Sequence, residues 1–412
     1  MGPYSDSETG ADANRGVVFV TPTPAMLRAG AVWVTINNWV HASRRRWGKA
    51  SLLTPSGFLT DEHLRDAAWG GATEGARVTQ RFGRFPLVAQ TAAKDVRAWW
   101  RMSRFRRSVR GLTLDVDPLF VWQHHDLFQR AGLTVARRHD VPLVLFVDAP
   151  VVWETSSWGV NRPGWGRLLE RLAETPQFRE ADVVACVSEE VAEAATARGA
   201  RPETIMITPC TADGVRLAHP TDHVKDELSL RDSVVVGWVG SFRPFHNADS
   251  LVRAFGQLPV DLPVTLMMVG DGPTLESCRR MAAFEGIRRA VFTGPVRHEE
   301  IPNYLAAIDI AVITPSEQGG FHYSPLKLKE YLAAGKAIVA PNAGEITRML
   351  SHGQDVYLYP SGEEAEMTRA IFRLAQDAVQ RERLGSNARE TYDQLFTIDR
   401  QLDALETRIN LV

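Results

Sequence analysis

The chain has 412 residues, 44% of them hydrophobic and 23% charged, with a formal net charge of −2. Such a length exceeds what one hydrophobic core usually supports, so two domains of roughly 200 residues are expected, and the composition excludes a disordered or fibrous chain. Near-neutral charge excludes a general affinity for nucleic acid, and three scattered cysteines, Cys186, Cys210 and Cys278, exclude a zinc ribbon or disulfide framework and fit a reducing cytosol.

Residues 1–15 are polar, with no apolar stretch of the signal-peptide kind, and read as a disordered tail. No run approaches the ~18 apolar residues that a membrane span needs. From residue 16 the β-branched run GVVFVTPTP leads into the helical stretch AGAVWVTINNWVHASRRRWG and the strand ASLLTPSG. Further on, RAWWRMSRFRRSVR (97–110) sets six arginines among Trp99, Trp100 and Phe105. One reading lays it on an anionic membrane surface or an acidic acceptor. The plainer reading, preferred because a covering helix is needed here anyway, packs its aromatics on the sheet and leaves the arginines in water.

The series continues with strand PLFVWQHH (118–125), helix DLFQRAGLTVARRHD, strand VPLVLFVDAP (141–150), helix GRLLERLAETPQFREA and strand DVVACVS (182–188). Continuous apolar strands between polar helices are the pattern of a parallel sheet covered on both faces. One doubly wound domain is therefore expected over 16–215. Residues 216–232, rich in Pro, Thr and Asp, read as a linker. A second α/β series over 233–390 begins with SVVVGWVGSF and runs through VTLMMVGDGP, AVFTGPV and DIAVITPS, and 391–412 reads as a closing helix that could cross back to the first domain. The expected fold is α/β, two Rossmann-like domains facing each other across a cleft.

Three glycine turns, VGSFRPFHN, VGDGP and TGPV, end strands of the second domain, where glycine permits tight turns and close approach of a ligand. Neither G-x-G-x-x-G nor a P-loop is present, which disfavours a dehydrogenase or an NTPase. In FHYSPLKLKEYLAAGKAIVAP (321–341), Ser324 and Pro325 precede a helix ended by Gly335. A lysine in a helix's first turn opposes the dipole, while a helix amino terminus favours an anion. A phosphate would offset Lys327, and Glu330 would accept from sugar hydroxyls. The alternative is a solvated surface pair, with Lys329 simply in water.

The order VGSF, VGDGP, FTGPV, SPLKLKEYLAAGKAIVAPNAGEI resembles the donor-binding domain of glycosyltransferases of the two-Rossmann (GT-B) type, family 4 in particular, and the subgroup with S-P-L-K-L before its ribose-binding Glu. The resemblance covers nearly all of 233–395; the first half matches in architecture only. It implies that Glu330 holds the ribose, that the backbone of Ser324, Leu326 and Lys327 cradles the diphosphate, and that the backbone at Val296 meets the base. After Gly240 the family pattern has an Arg and, five residues later, a Lys; here Ser241 and His246 stand there, with Arg243 between them. Arg243 is expected to supply the charge and His246 to assist. Eight residues before Glu330, where the family usually has a sugar-contacting Glu, stands His322.

In the first domain, Asp148 occupies the place of a family His that touches the donor sugar. Asp148 and Glu154 are candidate catalytic carboxylates with His322, and His124 and His125 are candidate acceptor-side groups. Each has the alternative of a satisfied polar group at a strand end. The resemblance implies a retaining, hexosyltransferase-like enzyme of the cytoplasm, using a nucleotide-diphosphate sugar, no other cofactor and no metal, on a small-molecule, glycan or lipid-linked acceptor. Two alternatives remain: a nucleotide-sugar epimerase of the same fold, and a non-catalytic nucleotide-sugar or membrane-surface binding protein.

Overall fold

A computed structural model describes residues 14–22, 31–66, 86–212, 214–217, 220–221, 223–314 and 324–409. The chain divides into two compact units, Met1–Pro209 with Gln401–Val412, and Cys210–Arg400.

The first unit is built on seven strands: β1 (Arg15–Val20), β2 (Lys49–Thr54), β3 (Gly57–Leu59), β4 (Asp117–His124), β5 (Leu143–Val147), β6 (Val183–Cys186) and β7 (Ile205–Ile207), in the order β3-β2-β1-β4-β5-β6-β7. All pairs are parallel except β3, which folds back antiparallel on β2 through the turn after Thr54. Strand β1 already starts at Arg15, inside the stretch expected as tail. Val17–Val20 and Leu143–Val147 are buried along their whole length, as continuous apolar strands under helices on both faces must be. Trp122 of β4 is the centre of this core, stacked on Phe146 at 5.0 Å and tilted against Trp39 at 5.9 Å.

One covering element departs from expectation. The helix Leu87–Ser108 buries Asp95, Met102 and Phe105, but Trp99 and Trp100 face outward, so only one of its three aromatics packs on the unit.

The second unit holds β8 (Val234–Val239), β9 (Val264–Val269), β10 (Ala290–Gly294), β11 (Ile310–Val312), β12 (Ala337–Pro341) and β13 (Tyr357–Tyr359) in the order β10-β9-β8-β11-β12-β13, with every pair parallel. Alternate residues of β8 serve two cores: Val235 and Val239 belong to the cluster with Leu328, Tyr331 and Leu332, Val236 and Trp238 to the cluster with Leu251, Met268 and Ile371. The strand order reverses between β8 and β11. In open α/β sheets, ligands bind outside the carboxyl ends of the strands at such a switch point.

The unit boundary lies earlier than the expected linker. Residues 210–232 carry the short helices Gly214–Leu217 and His223–Glu227, and Leu217, Val224 and Leu230 enter the second unit's core. At the far end, Phe396 separates the helices Ala378–Leu395 and Ile398–Ile409, and from Gln401 the latter belongs to the first unit, where Asp403 accepts from Arg46 at 2.6 Å.

Candidate functional site

At the switch point of the second unit the loop after β8 carries Gly240, Ser241, Arg243 and His246, and the helix Leu326–Ala333 enters beside it. Two devices fix that helix. The hydroxyl of Tyr331 accepts from the amide of Val239 at 2.8 Å, tying the helix to the end of β8. On its other side Lys329, with none of its side chain exposed, pairs with Glu345 and donates to Ser324 Oγ at 2.7 Å, while Ser324 accepts from the Cys210 amide at 3.0 Å. Lys329 is therefore no surface lysine: burial of both charges is tolerated because they are paired and hydrogen-bonded. Ser324's hydroxyl is committed to this network, so any contact it makes with a ligand runs through its backbone.

Lys327 points the other way. Its ammonium lies 3.8 Å from the centre of the Trp238 ring, and a Cβ built on Gly240 would come within 2.9 Å of it. The bare glycine thus makes room for a cation over the turn where the family pattern has its arginine. Burial pushes the Lys327 pKa down to about 7, with Glu330 nearby working in the opposite direction. His246 lies against the same group; burial first, then the charges of Lys327 and Arg243, push its pKa down to about 2. It is therefore held as a neutral imidazole and can assist through a hydrogen bond. Trp238 is anchored underneath by its indole N–H, which donates to Thr314 at 3.2 Å, and Thr314 in turn donates to the His246 carbonyl.

Among the described residues, neither Lys327 nor Arg243 makes a side-chain hydrogen bond or ion pair; Lys327's one electrostatic neighbour of opposite sign is Glu330, itself largely buried. The helix start has Pro325 at its cap, whose side chain accepts nothing, and among the described residues no side chain accepts from its first amides. Cations without anions beside uncapped amides describe a seat for a negatively charged group.

The glycine turns brace this seat. Gly270 has φ +125°, and a Cβ there would fall 2.0 Å from the Gly240 carbonyl oxygen; Gly272, at φ +153°, would meet the Phe242 backbone at 2.8 Å. The β9 turn therefore lies directly on the β8 loop, which also receives the Thr274 amide on the Phe242 carbonyl at 3.0 Å. Val296, beyond the third turn, is half-buried against the core, and Leu326 is half-buried at the helix start. His322 lies outside the described residues.

In the first unit the two adjacent histidines part company. His124, at the end of β4, bonds Asp148 through Nε2 at 2.8 Å, and the Asp148 side chain keeps about a third of its surface exposed. Burial alone would lower the His124 pKa; the charge and hydrogen bond of Asp148, with Asp126 behind, outweigh it, and the net shift is upward. His125 turns into the core, against the Phe178 ring at 5.0 Å and bonded to the buried Glu174 at 3.2 Å, which corrects its expected acceptor-side place. Glu174 also accepts from the Val151 amide at 2.6 Å, fixing the start of the helix Val151–Ser157 on which Glu154 sits half-buried. Trp238, Tyr331, Glu345 and Glu174 were not singled out from sequence. Trp238 alone had a signal there, as an aromatic two residues before the turn glycine.

Fold and site together define a two-unit α/β protein with two basic side chains, Lys327 and Arg243, at the switch point of its second sheet. Residues 30–211 match the family described as glycosyl transferase 4-like domain and residues 233–377 match glycosyl transferases group 1, so the chain belongs to the group 1, family 4-like glycosyltransferases. It is 24% identical over 188 residues to the N-acetyl-alpha-D-glucosaminyl L-malate synthase of Bacillus anthracis, covering 45% of this chain and 47% of that protein. Over 296 residues it is 28% identical to a GDP-mannose-dependent alpha-mannosyltransferase of Mycobacterium tuberculosis, covering 66% and 68%. The first match spans only about half its relative's length. The fold is similar to that of Anabaena Alr3699/HepE, solved in complex with UDP and glucose, with a TM-score of 0.68 at 16% identity over 96% of this chain and 100% of that one.

Proposed function

We propose that the chain moves a glycosyl group from a nucleotide-diphosphate sugar to an acceptor hydroxyl or amine, with retention of anomeric configuration and without a metal ion. The observation that carries this reading is the pair of cations, Lys327 over Gly240 and Arg243 in the adjoining loop, with no anion bonded to either among the described residues. A diphosphate supplies the missing negative charge, and Glu330, one turn along the helix from Lys327, is the residue assigned to the ribose hydroxyls in this reading. A relative named for GDP-mannose and a structural neighbour holding UDP both support a nucleotide donor and leave the base open.

In the proposed reaction the bond between the anomeric carbon and the diphosphate oxygen breaks, and its electron pair leaves with the diphosphate. Lys327, Arg243 and the first-turn amides stabilise that developing charge, which lowers the barrier because they are already oriented. The acceptor oxygen bonds to the anomeric carbon on the face the diphosphate vacates, giving retention. The acceptor is assigned to the first unit, where Asp148, oriented by His124, is the base that takes its proton and Glu154 a second carboxylate for binding it. Replacing Glu330 by Ala is expected to weaken nucleotide binding and lower turnover. Arg243→Ala and Lys327→Ala should each lower nucleoside-diphosphate affinity by about ten- to a hundredfold, the range for a lost charged hydrogen bond. Unchanged affinity in both cation variants would sink the phosphate seat.

A further inference from the structure

The helix Leu87–Ser108 turns Asp95, Met102 and Phe105 inward and leaves Trp99 and Trp100 55% and 54% exposed, with Val96 and Leu87 exposed on the same helix. Single exposed apolar residues are ordinary; two adjacent exposed tryptophans are not. Around them Lys94, Arg97, Arg101, Arg104 and Arg107 are all exposed, and the Arg104 guanidinium lies 4.6 Å from the Trp100 ring. The helix's one carboxylate, Asp95, is withdrawn: it is buried, accepts from Arg162 at 2.9 Å and 3.1 Å, and accepts from the Trp165 indole N–H at 3.0 Å. The outward side thus combines indoles and cations with no acid.

Those bonds to Asp95 also hold the next segment against the helix, and that segment repeats the composition. Leu168 and Leu172, one helical turn apart, are exposed, and so are Arg167 and Arg171 beside them. Glu170, between the two pairs, is neutralised by Arg198 at 2.9 Å.

We propose that this face of the first unit docks on an anionic lipid bilayer. Indole rings are apolar bodies with one polar N–H and settle at headgroup depth, while arginine stems reach past them to lipid phosphates. Basic side chains are drawn to such a surface individually, so a helix that turns its one carboxylate inward and its arginines outward matches it in charge. Arginine and tryptophan also serve protein interfaces, so a second copy of this chain is kept as an outcome of the test.

The test is co-sedimentation of the full chain with vesicles of pure phosphatidylcholine and of phosphatidylcholine mixed equally with phosphatidylglycerol. The chain is expected to sediment with the mixed vesicles at low salt, to be released as salt rises, and to ignore the neutral ones. The variant Arg101→Gln/Arg104→Gln/Arg107→Gln should lower the partition coefficient about a hundredfold. Trp99→Ser/Trp100→Ser should lower it at least about tenfold at unchanged salt dependence. All five side chains are exposed, and unchanged thermal unfolding of both variants is the accompanying expectation. No vesicle binding, equal binding to both vesicles, or a charge variant that binds like the parent would overturn the proposal. So would a concentration-dependent dimer that both variants dissolve, which would make a second copy of this chain the occupant.

Discussion

Lys327 is held near the pH at which it gives up its charge, and that has two consequences of opposite sign. Its pKa falls from 10.5 in the unfolded chain to about 7 in the folded one, so between those values the unfolded chain binds the extra proton and stability rises with pH. An anionic ligand beside the ammonium pulls the pKa back up, so binding takes up a proton and affinity falls by up to about tenfold per pH unit above pH 7. Lys327→Met is expected to remove that slope, read by titration calorimetry in buffers of differing ionisation heat. Gly270 gives a stability prediction at the same scale. Gly270→Ala sets a Cβ 2.0 Å from the Gly240 carbonyl at φ +125° and is expected to destabilise the fold by about 3 kcal/mol or more in urea unfolding. The sequence marked both residues. It did not mark Lys329, because the alternation of charged and apolar residues in LKLKEYLAAG reads as one wet helix face. In the folded unit nearly the whole helix is enclosed, and the lysine's partner, Glu345, lies sixteen residues along the chain, beyond any local spacing rule.

The helix Leu326–Ala333 is held as an element from two sides, and each attachment makes its own prediction. Breaking the enclosed pair through Glu345→Ala leaves the Lys329 charge buried and unpaired, at an expected loss of about 3–5 kcal/mol in chemical denaturation. Replacing both partners in Lys329→Met/Glu345→Leu should recover most of that loss; failure to recover would show that the network contributes more than compensation of its own charges. Tyr331→Phe removes the acceptor of the Val239 amide and should cost about 1–3 kcal/mol, with a weakening of nucleotide binding because the helix start is no longer fixed against β8. Strands were the most legible elements, since continuous apolar runs such as VVVGWV and LVLFV have no other reading between polar helices. Helix faces were less so. Trp99 and Trp100 were expected on the sheet from their chemistry alone, whereas the inward stripe of Asp95, Met102 and Phe105 is set by helical spacing that the dense arginines obscure.

Across the whole molecule, two units with separate sheets and cores carry different parts of the proposed chemistry, and their legibility differed accordingly. The second unit's strands, and the place of its proposed seat, follow from turn glycines and a helix start that sequence shows directly. In the first unit, Asp148 and His124 meet through the ends of two neighbouring strands, while Glu174 reaches His125 and Val151 from a helix interior that sequence alone reads as surface. The central claim is that the second unit seats a nucleotide diphosphate through Lys327. Its most direct measurement is calorimetric titration of UDP-sugars and GDP-sugars into the parent chain and Lys327→Met at pH 6.5 and pH 8.5. One donor class should bind the parent, more weakly by about tenfold or more at the higher pH, and bind the variant weakly at both. Binding of neither class, or a variant that matches the parent at both pH values, would contradict the account.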